Sequence, residues 1–286
     1  MDILNFFYLH GEGNFGDCIN HVFFETLLQK KLNAITEKKQ REFNHYITTG
    51  SILNLVSSKS IVYGSGFISE TSDLGNGVLN KGNNKVVQRP LQIISVRGPD
   101  TRAKLIKMGV DCPEHYGDPL VLFPLIYQPT VQIKNNYGVI PHYIDKQSLL
   151  LTTLLHHLGE DVKRIDILTP DLNYKRLIEE ILSCEYIISS SLHGIIMGLI
   201  YKRKTIFVEF GDQVIGGTFK FYDFFHSLHI NYKVNNIYSK DLLENVISID
   251  YNNLYNLVSD MIRIAPFIEP EWKSILINRY KMYLEL

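Results

Sequence analysis

The sequence predicts an α/β protein built from two Rossmann-like domains that face each other across a cleft. Three observations carry that prediction. Strand and helix patterns alternate along the whole chain, which points to parallel sheets. Glycine-rich or hydroxyl-rich turns follow several strands, where open α/β sheets bind ligands. A proline- and asparagine-rich break near 128–136 divides the alternation into halves of roughly 130 residues, a comfortable domain size.

In the first half, Ile3–Leu9 reads as a strand, His10–Asp17 as a glycine-rich loop, and Ile19–Lys31 as a helix with Phe23, Leu27 and Leu28 on one face. Short strands follow at Tyr46–Thr49 and Ser60–Tyr63, ending in Gly50-Ser51 and Gly64-Ser65-Gly66. Gln92–Val96 is a further strand, and Pro99 opens a helix that runs to about Met108 and stops at Gly109. In the second half, strands are expected at Gly138–Ile140, Arg164–Leu168, Tyr186 onwards and Thr205–Glu209. Helices are expected near Asp145–His157, at Tyr174–Leu182 and after His193. The amphipathic tail, Glu269–Leu286, has the pattern of a helix able to dock back on the first half. The expected domains are 1–132 and 133–286.

Composition narrows the function. Of 286 residues, 45% are hydrophobic and 21% charged, a globular balance, and a net charge of −1 offers no field to attract nucleic acid. Cys18, Cys112 and Cys184 are far apart, odd in number and lack metal spacing, as expected for unpaired, packed thiols in a reducing compartment. The N-terminus lacks a basic region and cleavage site and reads as a strand, not a signal peptide. No run approaches the roughly 18–20 apolar residues that span a bilayer. A cytoplasmic protein is the expectation.

The most informative stretch is Tyr186-Ile-Ile-Ser-Ser-Ser-Leu-His193-Gly194. An apolar strand breaks into hydroxyls, then a histidine, then an apolar helix whose N-terminus would favour an anion. Arg97 in Ser95-Val-Arg97-Gly98-Pro99 leaves a strand where a helix begins, and its planar fork suits a carboxylate or phosphate; an ion pair with a neighbouring aspartate is the plainer role. Gly11-Glu-Gly-Asn14-Phe-Gly16-Asp17 resembles a phosphate loop but lacks the Lys-Ser/Thr that would define one. Asp17 suits either a helix cap or a contact with substrate. His115-Tyr-Gly-Asp118-Pro119, Gly216-Gly-Thr-Phe-Lys220 and His142 after the second half's first strand complete the candidates.

Taken in order, these segments resemble the polysaccharide pyruvyltransferase family. The residues that carry the resemblance are Asn14-Phe-Gly16-Asp17, Gly64-Ser65-Gly66, Ser95-Val-Arg97-Gly98-Pro99, Tyr116-Gly-Asp118-Pro119, Ser190-Ser191-Leu-His193-Gly194, and Phe219-Lys220 leading into Asp223-Phe-Phe. No one of them is specific; six in family order are. The resemblance implies a glycosyltransferase-B-like fold and no metal or organic cofactor. It also implies transfer of the pyruvyl group of phosphoenolpyruvate to two hydroxyls of a sugar, forming a ketal and releasing phosphate. The sugar would belong to capsule, exopolysaccharide or another cell-surface glycan, or to a lipid-linked precursor met at the cytoplasmic face of the inner membrane.

On that basis His193 and Asp17 are the expected catalytic acid and base. Arg97, Ser191, Gly194, Lys220 and Ser65 are expected on the donor, and Asn14, Asp118 and His142 on the acceptor. Some relatives carry arginine at the position of Ser191, so the charge it supplies would fall here to Arg97, Lys220 or backbone N–H groups. His193 is expected to be neutral in the free enzyme and protonated once the donor's negative charge is bound. A nucleotide-sugar glycosyltransferase of the same architecture is the main rival, and a carbohydrate-binding scaffold without turnover the second.

Overall fold

The computed structural model describes residues 4–7, 15–36, 39–75, 88–168 and 173–286. Two sheets organise them, and every strand pair in both is parallel. The first contains β1 (Asn5–Phe7), β2 (Asn33–Ile35), β3 (His45–Ile47), β4 (Ser60–Tyr63) and β5 (Gln92–Ser95), in the order β2-β1-β3-β4-β5. The second contains β6 (Asn135–Ile140), β7 (Val162–Arg164), β8 (Cys184–Ser189) and β9 (Lys204–Phe207), in the order β7-β6-β8-β9. Both sheets therefore reverse direction of growth after their second strand. The switch points lie between β1 and β3 and between β6 and β8, where open sheets leave room for a ligand beyond the strand ends.

The helices between these strands are α1 (Phe15–Cys18), α2 (Asn20–Leu28), α3 (Pro99–Lys107), α4 (Leu149–Leu158), α5 (Tyr174–Leu182), α6 (Leu192–Ile200) and α7 (Phe219–Ser227). Sequence explains their ends. Pro99 starts α3 after an extended Gly98, Asp100 sits in its first turn, and Lys104 and Lys107 in its last. Ser148 and Asn173 cap α4 and α5 by accepting from Leu150 and Arg176 N–H groups. Every residue of α6 is buried, in keeping with an all-apolar sequence that no solvent-facing helix would carry.

The largest core cluster draws on both sheets: Phe6, Phe24 and Tyr63 belong to it, and so do Ile187, Ile196 and Phe207. Two C-terminal helices, α8 (Tyr251–Ile264) and α9 (Pro270–Leu284), close it. Between them, Phe267 meets the rings of Phe6, Phe24, Tyr46 and Tyr63 at centroid distances of 5.0–5.4 Å. The Tyr63 hydroxyl donates to the Met261 carbonyl and the Tyr280 hydroxyl to the Val121 carbonyl, both at 2.9 Å. The tail thus packs against elements of the first half.

Several elements differ from the sequence reading. The expected loop 10–17 ends in helix at α1, so Asp17 lies within a helical turn and not before one. β7 ends at Arg164, and Ile165 and Ile167 continue from it as buried residues outside the ladder. β2, α7 and α8 were not expected. Asn33-Ala-Ile35 is too short to show a period, and the aromatic run of α7 obscures its helical spacing.

Because Phe267 fills the junction of four aromatic rings, Phe267→Ala is expected to cost about 3–5 kcal/mol, as for other large buried aromatics. Urea unfolding checks this; a loss within about 0.5 kcal/mol, typical of surface changes, would show that the tail does not brace the first sheet.

Candidate active site

Both switch points open onto one cavity of about 230 Å³. From the first half it is lined by Ser51 and Ile52, which follow β3. From the second it is lined by His142 and Tyr143 after β6, Ser191, Leu192 and His193 after β8, and Lys220 on α7.

His193 is the second residue of α6, and its ring lies directly on Gly16 of α1. A Cβ added to Gly16 would stand 1.8 Å from the His193 Cε1, so no side chain fits there. The α1 backbone is itself held to the second half by the Phe15 N–H, which donates to the Ile167 carbonyl at 3.2 Å. The His193 Nε2 is buried and has no hydrogen-bond partner among the described residues. An unsatisfied buried nitrogen in a cavity wall is costly and calls for an explanation, of which a ligand is one. Burial, then the charges of Lys220 and Arg97 and the neighbouring His142, push the imidazole down to about 3. The ring is therefore neutral near neutral pH, chiefly through desolvation.

His142 reaches the same state. Burial and Lys220 push it down to about 3, and its ring meets Tyr143 in a tilted contact with centroids 4.4 Å apart. Its backbone N–H donates to the Ser190 hydroxyl at 2.8 Å, and that hydroxyl donates to Asp145 Oδ2 at 2.6 Å. Burial raises the Asp145 carboxyl, while the Ser190 hydrogen bond and Lys220 oppose it. Ser191 is the N-cap residue of α6, but its side chain makes no capping bond; it lines the cavity instead.

Arg97 lies behind the cavity wall, fully buried. Its Nε donates to Asp223 Oδ2 at 2.9 Å, one terminal nitrogen donates to the Ser51 hydroxyl at 2.6 Å, and the other to the Phe67 carbonyl at 2.7 Å. Gly66 leaves room for the guanidinium, since a Cβ there would come within 2.5 Å of its Cζ. Thr101 donates to both Asp223 oxygens, from its N–H at 2.8 Å and its hydroxyl at 2.7 Å. A Cβ on Gly98 would meet the Asp223 carbonyl oxygen at 1.8 Å, so the Arg-Gly-Pro turn is shaped to the α7 backbone. Arg97 thus touches the cavity through Ser51, and Lys220 is the cation that lines it.

The remaining expected residues fall elsewhere. Ser65 is buried and donates to the Gly50 carbonyl at 2.8 Å. Asp118 is buried at the head of a 3₁₀ turn and accepts from the Leu120 N–H at 3.0 Å. Gly194 packs against Ser189 and Ile140. None of the three lines the cavity. Asn14 lies outside the described residues; Asp17 is placed by its backbone alone, one residue from Gly16. Ser51 and Asp145 were missed, while Tyr143 was noted beside His142 at the strand end but given no role. Ser51 carried one signal, the strand-ending Gly50-Ser51, while Asp145 looked like an ordinary first residue of a helix.

A model of the polysaccharide pyruvyl transferase family matches residues 7–211, a span that holds every cavity residue named above except Lys220. The chain belongs to this family. It is a transferase-family protein. An uncharacterized protein of Acanthamoeba polyphaga mimivirus is 26% identical over 258 residues, covering 88% of this chain and 84% of the viral one. No solved structure matches the chain significantly. Among the described residues no helix is long and apolar enough to cross a membrane, and no cluster of three or more His, Cys, Asp or Glu could hold a metal.

The two depressed histidines link stability to pH. Between their folded pKa values near 3 and the ordinary 6.5, the unfolded chain binds protons that the folded chain does not. Their contribution therefore favours folding fully above 6.5 and is lost as pH falls toward 3; Asp145, raised on folding, opposes this only in the acid range. Urea unfolding across pH is expected to show stability falling below 6.5, and His193→Gln to flatten that slope. An unchanged slope in the variant would mean that His193 charges freely in the folded protein.

Proposed function

We propose that the protein transfers the pyruvyl group of phosphoenolpyruvate onto two hydroxyls of a sugar in a cell-surface polysaccharide or its precursor, with the 230 Å³ cavity as the donor site. The observation that carries this reading is the unpartnered His193 Nε2 beside a lysine and a serine hydroxyl in one cavity of a chain of the pyruvyl transferase family. The donor joins a carboxylate and a phosphate on one vinyl carbon. Lys220, Ser191 and the start of α6 offer a cation and hydrogen-bond donors to such an anion.

The reaction needs a proton on the donor's methylene carbon, which makes the adjacent carbon electrophilic. A sugar hydroxyl then forms a C–O bond there and gives up its proton. The phosphate C–O bond breaks, and the second hydroxyl closes the ketal. One of the two hydroxyl protons ends in the new methyl group and the other leaves with phosphate, so no oxidant, reductant or cofactor is required. His193 is the acid for the first step. It is neutral without ligand, and the donor's negative charge at hydrogen-bond distance offsets the desolvation and the nearby cations that hold it so.

Asp17, next to Gly16 under the His193 ring, is the proposed base, and His142 the residue that receives the acceptor. Lys220 stabilises the departing phosphate. Arg97 acts as a positioning residue through Ser51 and Asp223. The two sheets would correspond to the two domains of a glycosyltransferase-B-like enzyme, working in the cytoplasm and at the inner membrane face when the acceptor is lipid-linked.

Phosphate release from phosphoenolpyruvate, measured with a panel of β-galactosides and N-acetylmannosamine derivatives, tests the proposal. Acceptor-dependent release is expected, reduced by about 10²–10⁴-fold in His193→Ala, the range of general acid catalysis. No release with any acceptor, together with thermal stabilisation by a nucleoside diphosphate and none by phosphoenolpyruvate, would favour a nucleotide-sugar glycosyltransferase.

A further inference from the structure

A second, larger concavity of about 580 Å³ lies beyond the end of β9. Glu209, Asp212, Asn235, Asn236 and Tyr238 supply its polar and aromatic lining, and among the described residues no lysine, arginine or histidine lines it. Neither Glu209 nor Asp212 makes an ion pair with a described residue. The Asn236 side-chain oxygen accepts from the Tyr238 N–H at 2.9 Å, and its amide N–H groups have no partner among the described residues. Tyr238 is 66% exposed, an unusual state for an aromatic ring in a concave surface. Burial and the Asp145 charge both raise the Glu209 carboxyl, so the two acids sense each other.

The groove adjoins the His193 cavity. The 3₁₀ turn Tyr143–Gln147 separates them. On one side His142 and Tyr143 line the cavity; on the other, Asp145 Oδ1 lies 4.0 Å from where a Gly211 Cβ would stand, and the Ser148 hydroxyl donates to the Phe210 carbonyl at 2.5 Å. The groove-lining segment 209–217 leads directly into α7 and Lys220. Cavity and groove thus flank one short turn.

Its chemistry selects what lies there. Carboxylates accept, amides donate and accept, and a tyrosine ring offers a flat amphipathic face. That combination suits the hydroxyls and the apolar face of a pyranose. Two carboxylates with no cation among the lining residues repel a phosphate or diphosphate. We propose that the groove lined by Glu209, Asp212, Asn236 and Tyr238 is a subsite for the second and later sugar units of an uncharged oligosaccharide acceptor, and that it disfavours a nucleotide- or diphosphate-linked unit. This rests on the pyruvyl-transfer reading only for the acceptor's role; saccharide binding in the groove stands apart from it.

The test uses neutral β-galactoside, β-glucoside and N-acetylhexosamine series of one, two and three sugar units. Affinity is measured by saturation-transfer NMR on the full chain, and KM by phosphate release. The trisaccharide of at least one series is expected to bind about tenfold more tightly than its monosaccharide. Tyr238→Ala and Asp212→Ala are each expected to shrink that ratio to about twofold or less. Equal affinity at all lengths, a ratio unmoved by both substitutions, or competition by a uridine diphosphate sugar would overturn the subsite. Length-dependent binding without phosphate release would support the groove and refute pyruvyl transfer, whereas phosphate release without length dependence would refute the groove alone.

Discussion

Arg97 and Asp223 carry full charges with neither side chain exposed, and the geometry around the cavity is arranged to make that tolerable. Burying two ions costs several kcal/mol each unless they are paired and their other hydrogen-bonding groups are satisfied. Here Thr101 donates twice to the carboxylate, and Ser51 and Phe67 accept from the guanidinium. Gly66 and Gly98 make the space that the pair and its backbone need. Removing one partner from a pair of this kind costs about 3–5 kcal/mol. The pair ties the end of β5 to α7, and so ties the first sheet to the helix that follows the second.

That tie sets the position of the cavity walls. Lys220 precedes Asp223 by three residues, one turn along α7, so the helix that receives Arg97 also presents the lysine to the cavity. Ser51, fixed by Arg97, forms the facing wall. The arginine shapes the site from behind and adds positive potential, one of the influences that keep His193 neutral. Ser191 at the start of α6 and Lys220 on α7 line the same cavity, so its hydroxyl and its cation come from different elements.

Much of this was legible in the sequence, and the parts that were not share a physical cause. α5 and β4 lie at the expected residues, because amphipathic spacing and a short β-branched run bounded by turn residues are local signals. His193 was legible because a strand end and a helix start follow from local pattern, whereas Lys220, on a helix the pattern did not show, was singled out only by the turn residues before it and the family resemblance; both line the cavity. Arg97 was harder: sequence shows that it leaves a strand, but only the long-range arrival of Asp223 reveals that its fork is already occupied. Asp118 and Ser65 fail as cavity residues for the same reason, since their partners, the Leu120 N–H and the Gly50 carbonyl, are backbone groups that no side-chain pattern announces. Asp145 was invisible, as its importance comes from Ser190, 45 residues away.

The central claim is that His193 waits neutral and is charged by its substrate. The direct measurement is the protonation state of the His193 imidazole by ¹⁵N NMR, titrated with and without saturating phosphoenolpyruvate. The account predicts a ring that stays neutral well into the acid range when free, in line with a pKa near 3, and takes up a proton near neutral pH when the donor binds. A ring whose titration does not move upward on donor binding would contradict it.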